Sequence, residues 1–535
     1  MNLRFFRSIV FYFPSRKERL PRFVRAGILL SVLCLPIFAA AGDVQQVDAD
    51  EPRRVVKQAQ KLTRKGDFPG AEKLLRNLIA RSPQDSKAKL ALAFVLMKQK
   101  KLLEAYNLAF SVAEAEPKNA YAFSVLGATL LSAGNFKEAK VCFINAIRLE
   151  NGEALAWAGL GMLDFYENRI EKSIENLRTA VYLKPDEQDY VFTLAQVLAR
   201  AERYGESAAY YQKFLEIAPQ TDEDRRERIK GLISFLRYLG NKQNLYIPRG
   251  ADRTVVPVRL LRDRPVINVR IGKHEEPLNF VLDTGSGISV ISEHAAERLN
   301  IKPITKGGMA RGIGGEGKFP IVYGFLPFIR IGDIKVQNVP VYIRKFHVDQ
   351  EKIDGYIGLG LISKFLTTID YGALTFSLVK RTESELKAMN EKQSFPLRLT
   401  SSGYLSGEVQ LEGIETALNF ILDTGASISV ISDELASMDE INKHISDETM
   451  RVVGAAGVTE NVPAFLLPRL TFGTHTREKI KAIALDLDII NETSGFEQAG
   501  ILGGNFLKNY RLIFDFKNSR VAFEPIVGSD TAVKP

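Results

Sequence analysis

The sequence predicts an α-helical solenoid followed by two all-β lobes, and three observations carry that prediction. In the first half, prolines fall on a 34-residue grid. Beyond residue 254 the helical periodicity gives way to short β-rich runs such as PVINVRIG, YGFLPFIRIG and VQNVPVYI, separated by Gly and Pro. Within that second half one phrase is written twice, LNFVLDTGSGISVIS at 278–292 and LNFILDTGASISVIS at 418–432, with twelve of fifteen residues unchanged. At 535 residues, 45% hydrophobic and 25% charged, the chain is long enough for several domains, each with its own core.

Residues 1–41 differ from everything after them. A basic lead (Arg4, Arg7, Arg16, Lys17, Arg19, Arg22, Arg25) precedes the uncharged run Ala26–Ala41, with Ala39 and Ala41 as the small residues of a cleavage site. The run is 16 residues long, slightly short of a spanning helix. It reads as a signal peptide, cleaved, or as a retained N-terminal anchor, so the expectation is an exported protein, periplasmic or secreted, with membrane attachment left open. Cys34 follows Leu33 where a lipoprotein would carry a small residue. Without the leader's seven positive charges and one negative, the net charge of +9 falls to +3 for residues 42–535, which calls for no nucleic acid. Cys142 is the one cysteine after the leader, so no disulfide within the mature chain is expected. Five scattered histidines suggest no metal site, and no Gly-rich phosphate loop is present, so no cofactor is expected.

The helical array is expected over 51–240. Pro83, Pro117, Pro185 and Pro219 share the 34-residue grid, with Asn151 at the remaining point. A second grid of turn residues, Gly66, Lys100, Gly134, Asn168 and Glu202, is followed two residues later by Phe68, Leu102, Phe136, Ile170 and Tyr204. Ala71, Ala105, Ala139, Ser173 and Ser207 occupy one small-residue position where two helices can approach closely. The period and the pattern resemble tetratricopeptide repeats in four to five units. The resemblance implies a scaffold that binds a protein partner. Residues 220–250 read as a final helix and an exit linker.

The duplication in the β half extends past the opening phrase. RGIGGEG at 311–317 answers VGAAGVT at 453–459, and DGYIGLGLISKFLTTIDYGALTFSL at 354–378 answers AGILGGNFLKNYRLIFDFKNSRVAFE at 499–524. In each copy an apolar strand delivers an aspartate, and glycine allows the tight turn that aims its carboxylate. The arrangement resembles the pepsin-like and retropepsin-like aspartic proteases, with lobe 1 at 254–380 and lobe 2 at 395–526. That resemblance implies an aspartic endopeptidase, a hydrolase acting on a peptide or protein substrate. Asp283 and Asp423 match the catalytic pair, with Thr284, Gly285, Ser286, Thr424, Gly425 and Ala426 as its supports. YIG at 356–358 and ILG at 501–503 match the segment packed behind the catalytic loops. Gly312, Ile313, Gly314 and Gly315 match a substrate-covering flap tip, Gly454, Ala455, Ala456 and Gly457 a looser one, and Tyr323 is a candidate flap tyrosine.

Two carboxyls held together share one proton, so one can draw a proton from water while the other donates to the peptide carbonyl. The segment 380–395 is long enough, extended, to let both halves of one chain meet. Two alternatives stand beside this reading: a scaffold that grips peptides with a protease-like fold, and a protease active only as a homodimer. Three further expectations follow. The repeats should recruit a partner or substrate, their deletion should spare cleavage of short peptides, and the Ser286 hydroxyl, absent at Ala426, should bond Asp283 and make it the more readily ionised partner.

Overall fold

The computed structural model describes residues 50–242, 244–315, 317–347 and 352–526. The leader expected at 1–41 lies outside these residues. Among them, no helix is long and apolar enough to cross a membrane.

Eleven helices among the described residues run from Glu51–Arg64 to Glu223–Gly240. Their punctuation is that of the sequence grids. The second helices of five successive pairs start at Phe68, Leu102, Phe136, Ile170 and Tyr204. Two residues earlier, the backbone is left-handed in every case, with φ of 82° at Gly66, 62° at Lys100, 80° at Gly134 and 59° at both Asn168 and Glu202. The small-residue position is buried throughout the array. Where it is serine, the hydroxyl donates to a carbonyl of the preceding helix, Ser173 to Gly161 at 2.6 Å and Ser207 to Ala195 at 2.7 Å.

The turn edge of this array is where it meets the β half. Lys100 pairs with Glu497 at 3.0 Å, the Asn168 side-chain amide donates to the Phe516 carbonyl at 3.0 Å, and Glu202 pairs with Lys364. A non-glycine residue in a left-handed conformation costs about 1 kcal/mol, and each of the three has a partner across the junction that offsets it. Phe496 of the second lobe is fully buried within the array's own core, 4.9 Å from the Phe136 ring and 5.0 Å from Tyr166. The Arg398 guanidinium lies over the other wall, 3.8 Å from the Phe136 ring centre.

One expectation changes here. The array is not a detachable arm, because it shares a core with the second lobe. The final helix expected in 220–250 is present as Glu223–Gly240, and beyond leading into the β half it packs along the hairpin formed by Thr305–Arg311 and Lys318–Ile331. Phe235 stacks on Tyr323 at 4.3 Å, Tyr238 meets Phe325 at 5.6 Å, and Arg228 donates to the Met309 carbonyl at 3.1 Å. These contacts make the array a support of that hairpin, so deleting residues 51–240 should abolish short-peptide cleavage as well.

Each lobe is built on its own sheet, and the two sheets repeat one topology. In the first, the strand Gly355–Ile357 lies between Leu278–Leu282, which it joins in parallel, and Ser289–Ser292. In the second, Gly500–Leu502 lies between Leu418–Leu422 and Ser429–Ser432 in the same way. The strand Ile247–Gly250, ahead of residue 254, already pairs with Ile334–Arg344 of the first lobe. A third sheet of six strands joins the lobes, with Leu366–Asp370 of one antiparallel to Tyr510–Asp515 of the other. The connection between the lobes, rather than running extended, forms the helix Glu383–Asn390 and buries Met389 against this sheet. The two halves thus pair with each other inside one chain.

Truncating Phe496 leaves a cavity at the junction. Phe496→Ala should destabilise the chain by about 3–5 kcal/mol, and array and lobes should unfold in one denaturant transition. Two well-separated transitions in the wild type would contradict the shared core.

Candidate active site

Buried strands place the two aspartates. Phe280 and Leu282 anchor one strand and Phe420 and Leu422 the other, all fully buried. Behind each loop the chain is tied to the neighbouring strand: the Asp283 amide donates to the Ile357 carbonyl and the Asp423 amide to Leu502, both at 3.0 Å. Each carboxylate then accepts from the amide two residues on, Gly285 at 2.9 Å and Gly425 at 2.7 Å. These glycines are required by the approach of the opposite loop, since a Cβ at Gly285 would lie 2.4 Å from Asp423 Cγ, and one at Gly425 2.8 Å from Asp283 Cγ.

The threonines lock the loops together. The Thr284 hydroxyl donates to the Leu422 carbonyl and the Thr424 hydroxyl to the Leu282 carbonyl, both at 2.7 Å. Each hydroxyl oxygen also accepts from the other loop, from the Thr424 amide at 3.0 Å and the Thr284 amide at 3.2 Å. These four hydrogen bonds tie each buried threonine to the backbone of the opposite loop, and the two hydroxyls also lie 3.4 Å apart.

Two hairpins meet tip to tip. Gly312, Ile313, Gly314 and Gly315 form the turn of the first, and Ala455 and Ala456 connect Ile445–Gly454 to Gly457–Phe472 in the second. The Ala456 amide donates to the Ile313 carbonyl at 2.9 Å and the Gly315 amide to Val458 at 3.2 Å. Ile313, Ala426 and Ile428 pack against one apolar cluster of the second lobe, which includes Ile421 and Ile501. Arg311 reaches both carboxylate oxygens of Glu492 in the second lobe, at 2.9 and 3.0 Å.

Comparison with known proteins agrees with this architecture. Residues 267–361 and 407–506 each match the family model described as aspartyl protease. The duplicated half belongs to the aspartyl protease family. Residues 62–129 and 158–221 match two tetratricopeptide repeat models. No curated protein matches the chain. Solved structures similar to the helical half include a thermophilic TPR protein of Thermus thermophilus (22% identity, 34% of this chain and 98% of that one, TM-score 0.30). Others are PilF of Pseudomonas aeruginosa (16%, 35% and 86%, TM-score 0.27) and MamA of Desulfovibrio magneticus (22%, 31% and 95%, TM-score 0.23).

Within the aspartyl protease half, burial is the first cause acting on both carboxyls, and it raises both. The charge of Asp423 and a hydrogen bond with it push Asp283 well above the usual carboxylate range. At Asp423 the amides of Gly425, Ala426 and Gly285 and the Asp283 side chain oppose the rise by favouring the charged form. The two carboxyls titrate as one unit. The expectation built on Ser286 fails on geometry. Its hydroxyl donates to the Ile288 carbonyl at 2.7 Å and is spent within its own loop. Tyr323 is no flap tyrosine either, being buried at the base of the hairpin against Phe235.

Sequence reading missed two residues here. Tyr404, half-buried, packs against the apolar cluster that holds Ile421, and the pKa of its hydroxyl is raised by desolvation and by the charges of Asp283 and Asp423. Arg344 sits at the end of the strand Ile334–Arg344, where desolvation lowers its pKa and Tyr356 and Asp283 oppose that fall. Strand-by-strand comparison of the two copies was the signal that could have found it.

Because folding raises both carboxyl pKa values, the stability they contribute is fully present below the unfolded carboxylate range and is lost as pH rises through the folded values. Asp423→Asn should therefore gain thermal stability relative to wild type, and the gain should grow from pH 4 to pH 8; a pH-independent difference would contradict the assignment. Ser286→Ala should leave the titration of the pair in place.

Proposed function

We propose that the chain is an aspartic endopeptidase whose Asp283 and Asp423, one from each lobe, activate a water molecule between them. The observation that supports this reading is the close approach of the two DTG loops, each glycine set against the aspartate of the other lobe, on a threonine-locked base. The ionised carboxylate of the pair takes a proton from the water as its oxygen attacks the peptide carbonyl, and the protonated partner donates to the carbonyl oxygen. Collapse of the tetrahedral intermediate breaks the C–N bond: the first carboxyl passes its proton to the leaving amine, and a hydroxyl proton of the intermediate returns to the partner. The facing hairpins cover an extended peptide and exclude water from the reacting centre.

The repeats supply a protein-binding surface, for a partner or for the substrate itself. Because their turn edge is engaged by the lobes, the opposite side of the array is the surface left for that partner. The leader supports an exported protein, periplasmic or secreted, with or without membrane attachment.

Asp283→Asn and Asp423→Asn should each lower peptide cleavage by about 10³-fold or more, with circular dichroism unchanged. Neither carboxyl alone can serve as acid and base in one cycle. Retained cleavage by either folded variant would overturn the two-carboxyl mechanism and favour a peptide-gripping scaffold.

A further inference from the structure

The two copies of the lobe differ beside the dyad, and strand register shows where. In the first lobe Ser289 stands opposite Val341 and Ser292 opposite Arg344. In the second, Ser429 stands opposite Ala482 and Ser432 opposite Leu485, so Arg344 and Leu485 are equivalent positions. By the same registers Tyr342 answers Ile483, and Tyr356 answers Ile501. The second lobe thus lines its side with aliphatic residues, which form one cluster with Ala426 and Ile428. The first lobe lines the equivalent side with two tyrosines and a cation.

Arg344 is placed between the flap and the catalytic loop. Its guanidinium carbon lies 5.3 Å from the ring centre of Phe319, on the first flap hairpin, and 5.7 Å from that of Phe346. Phe346 in turn packs edge-on to Tyr356, the residue just before Ile357, which ties down Asp283. The charges that act on it are those of Tyr356 and Asp283. Its Nε is buried with no hydrogen-bond partner, and among the described residues it forms no salt bridge with a carboxylate. A desolvated cation without a counter-ion is costly, and native proteins pair such groups. The space between flap and dyad is where a substrate peptide lies under the proposed function, on which this step rests.

We infer that Arg344 selects an acidic side chain on the substrate, at the position flanking the scissile bond on the first-lobe side, while the aliphatic side of the second lobe favours an apolar residue on the other. The preferred sequence is therefore asymmetric, with Asp or Glu on one side of the cleaved bond and Leu, Ile or Val on the other. A planar guanidinium flanked by aromatic rings suits a carboxylate, which it can bind through two parallel N–H donors.

The test uses end-blocked extended peptides that differ only in Glu, Gln, Leu or Lys at each residue flanking the bond, so that no terminal carboxylate competes. In the full-length wild type, kcat/KM for Glu should exceed that for Leu by about 10- to 100-fold on one side of the bond only. Arg344→Leu, which copies the second lobe, should abolish that ratio, and Arg344→Glu should turn the preference toward Lys. An unchanged Glu to Leu ratio in folded Arg344→Leu overturns the inference and leaves hydrolysis intact. Should Arg344→Leu fail to fold, Arg344→Gln serves, with the same expected loss. Binding of the same peptides to Asp423→Asn, read by fluorescence anisotropy, separates the two readings. Glu-dependent binding without cleavage by the wild type would sink the protease reading and keep the Arg344 assignment, whereas neither cleavage nor Glu-dependent binding would remove both.

Discussion

Everything at the centre of this molecule depends on two threonine hydroxyls. Thr284 and Thr424 are wholly buried, and each donates to a carbonyl of the opposite strand while accepting an amide from the opposite loop. A buried hydroxyl that lost its partners would cost about 1–3 kcal/mol, so the lobes cannot drift apart without breaking a reciprocal set. The lock holds the loops close enough that any side chain at Gly285 or Gly425 would strike the facing aspartate. Two carboxyls so confined titrate as one unit, and burial keeps a proton on the pair at a pH where a free carboxyl would be ionised.

The helical half extends this constraint outward. Its turn edge reads as a row of contacts to the lobes, and its last helix lies along the base of the first flap hairpin through Phe235, Tyr238 and Arg228. The flap is thus braced from one side by the array. From the other it is held by the tip-to-tip hydrogen bonds and the Arg311–Glu492 pair, which is exposed and worth little by itself. A packed helix–hairpin interface transmits small displacements, so what the array binds and how the flap sits are mechanically connected.

Much of this was legible in the sequence, and the reasons are physical. The 34-residue grids mark left-handed turns and the first residues of the second helices, positions that backbone geometry restricts whatever the context. The DTG phrases are equally constrained, since buried strands, a locking threonine and a close-approach glycine leave few substitutes. What stayed hidden depends on three-dimensional juxtaposition. Lys100 and Glu202 look like poor choices for a left-handed turn until their partners in the lobes are seen. Ser286 sits beside an aspartate in sequence, yet its hydroxyl turns to Ile288. Arg344 acts electrostatically on Asp283 from a strand some sixty residues away in the chain, and no local pattern announces it.

The central claim is that both carboxyls of one site come from one chain. Unfolding and refolding Asp283→Asn and Asp423→Asn together, in equal amounts, tests it most directly, with peptide cleavage by the refolded mixture as the readout. If each site is closed within a chain, every site in the mixture carries one asparagine and no activity returns. Activity recovered by the mixture above that of either variant alone would mean that lobes from different chains pair, and would contradict the account.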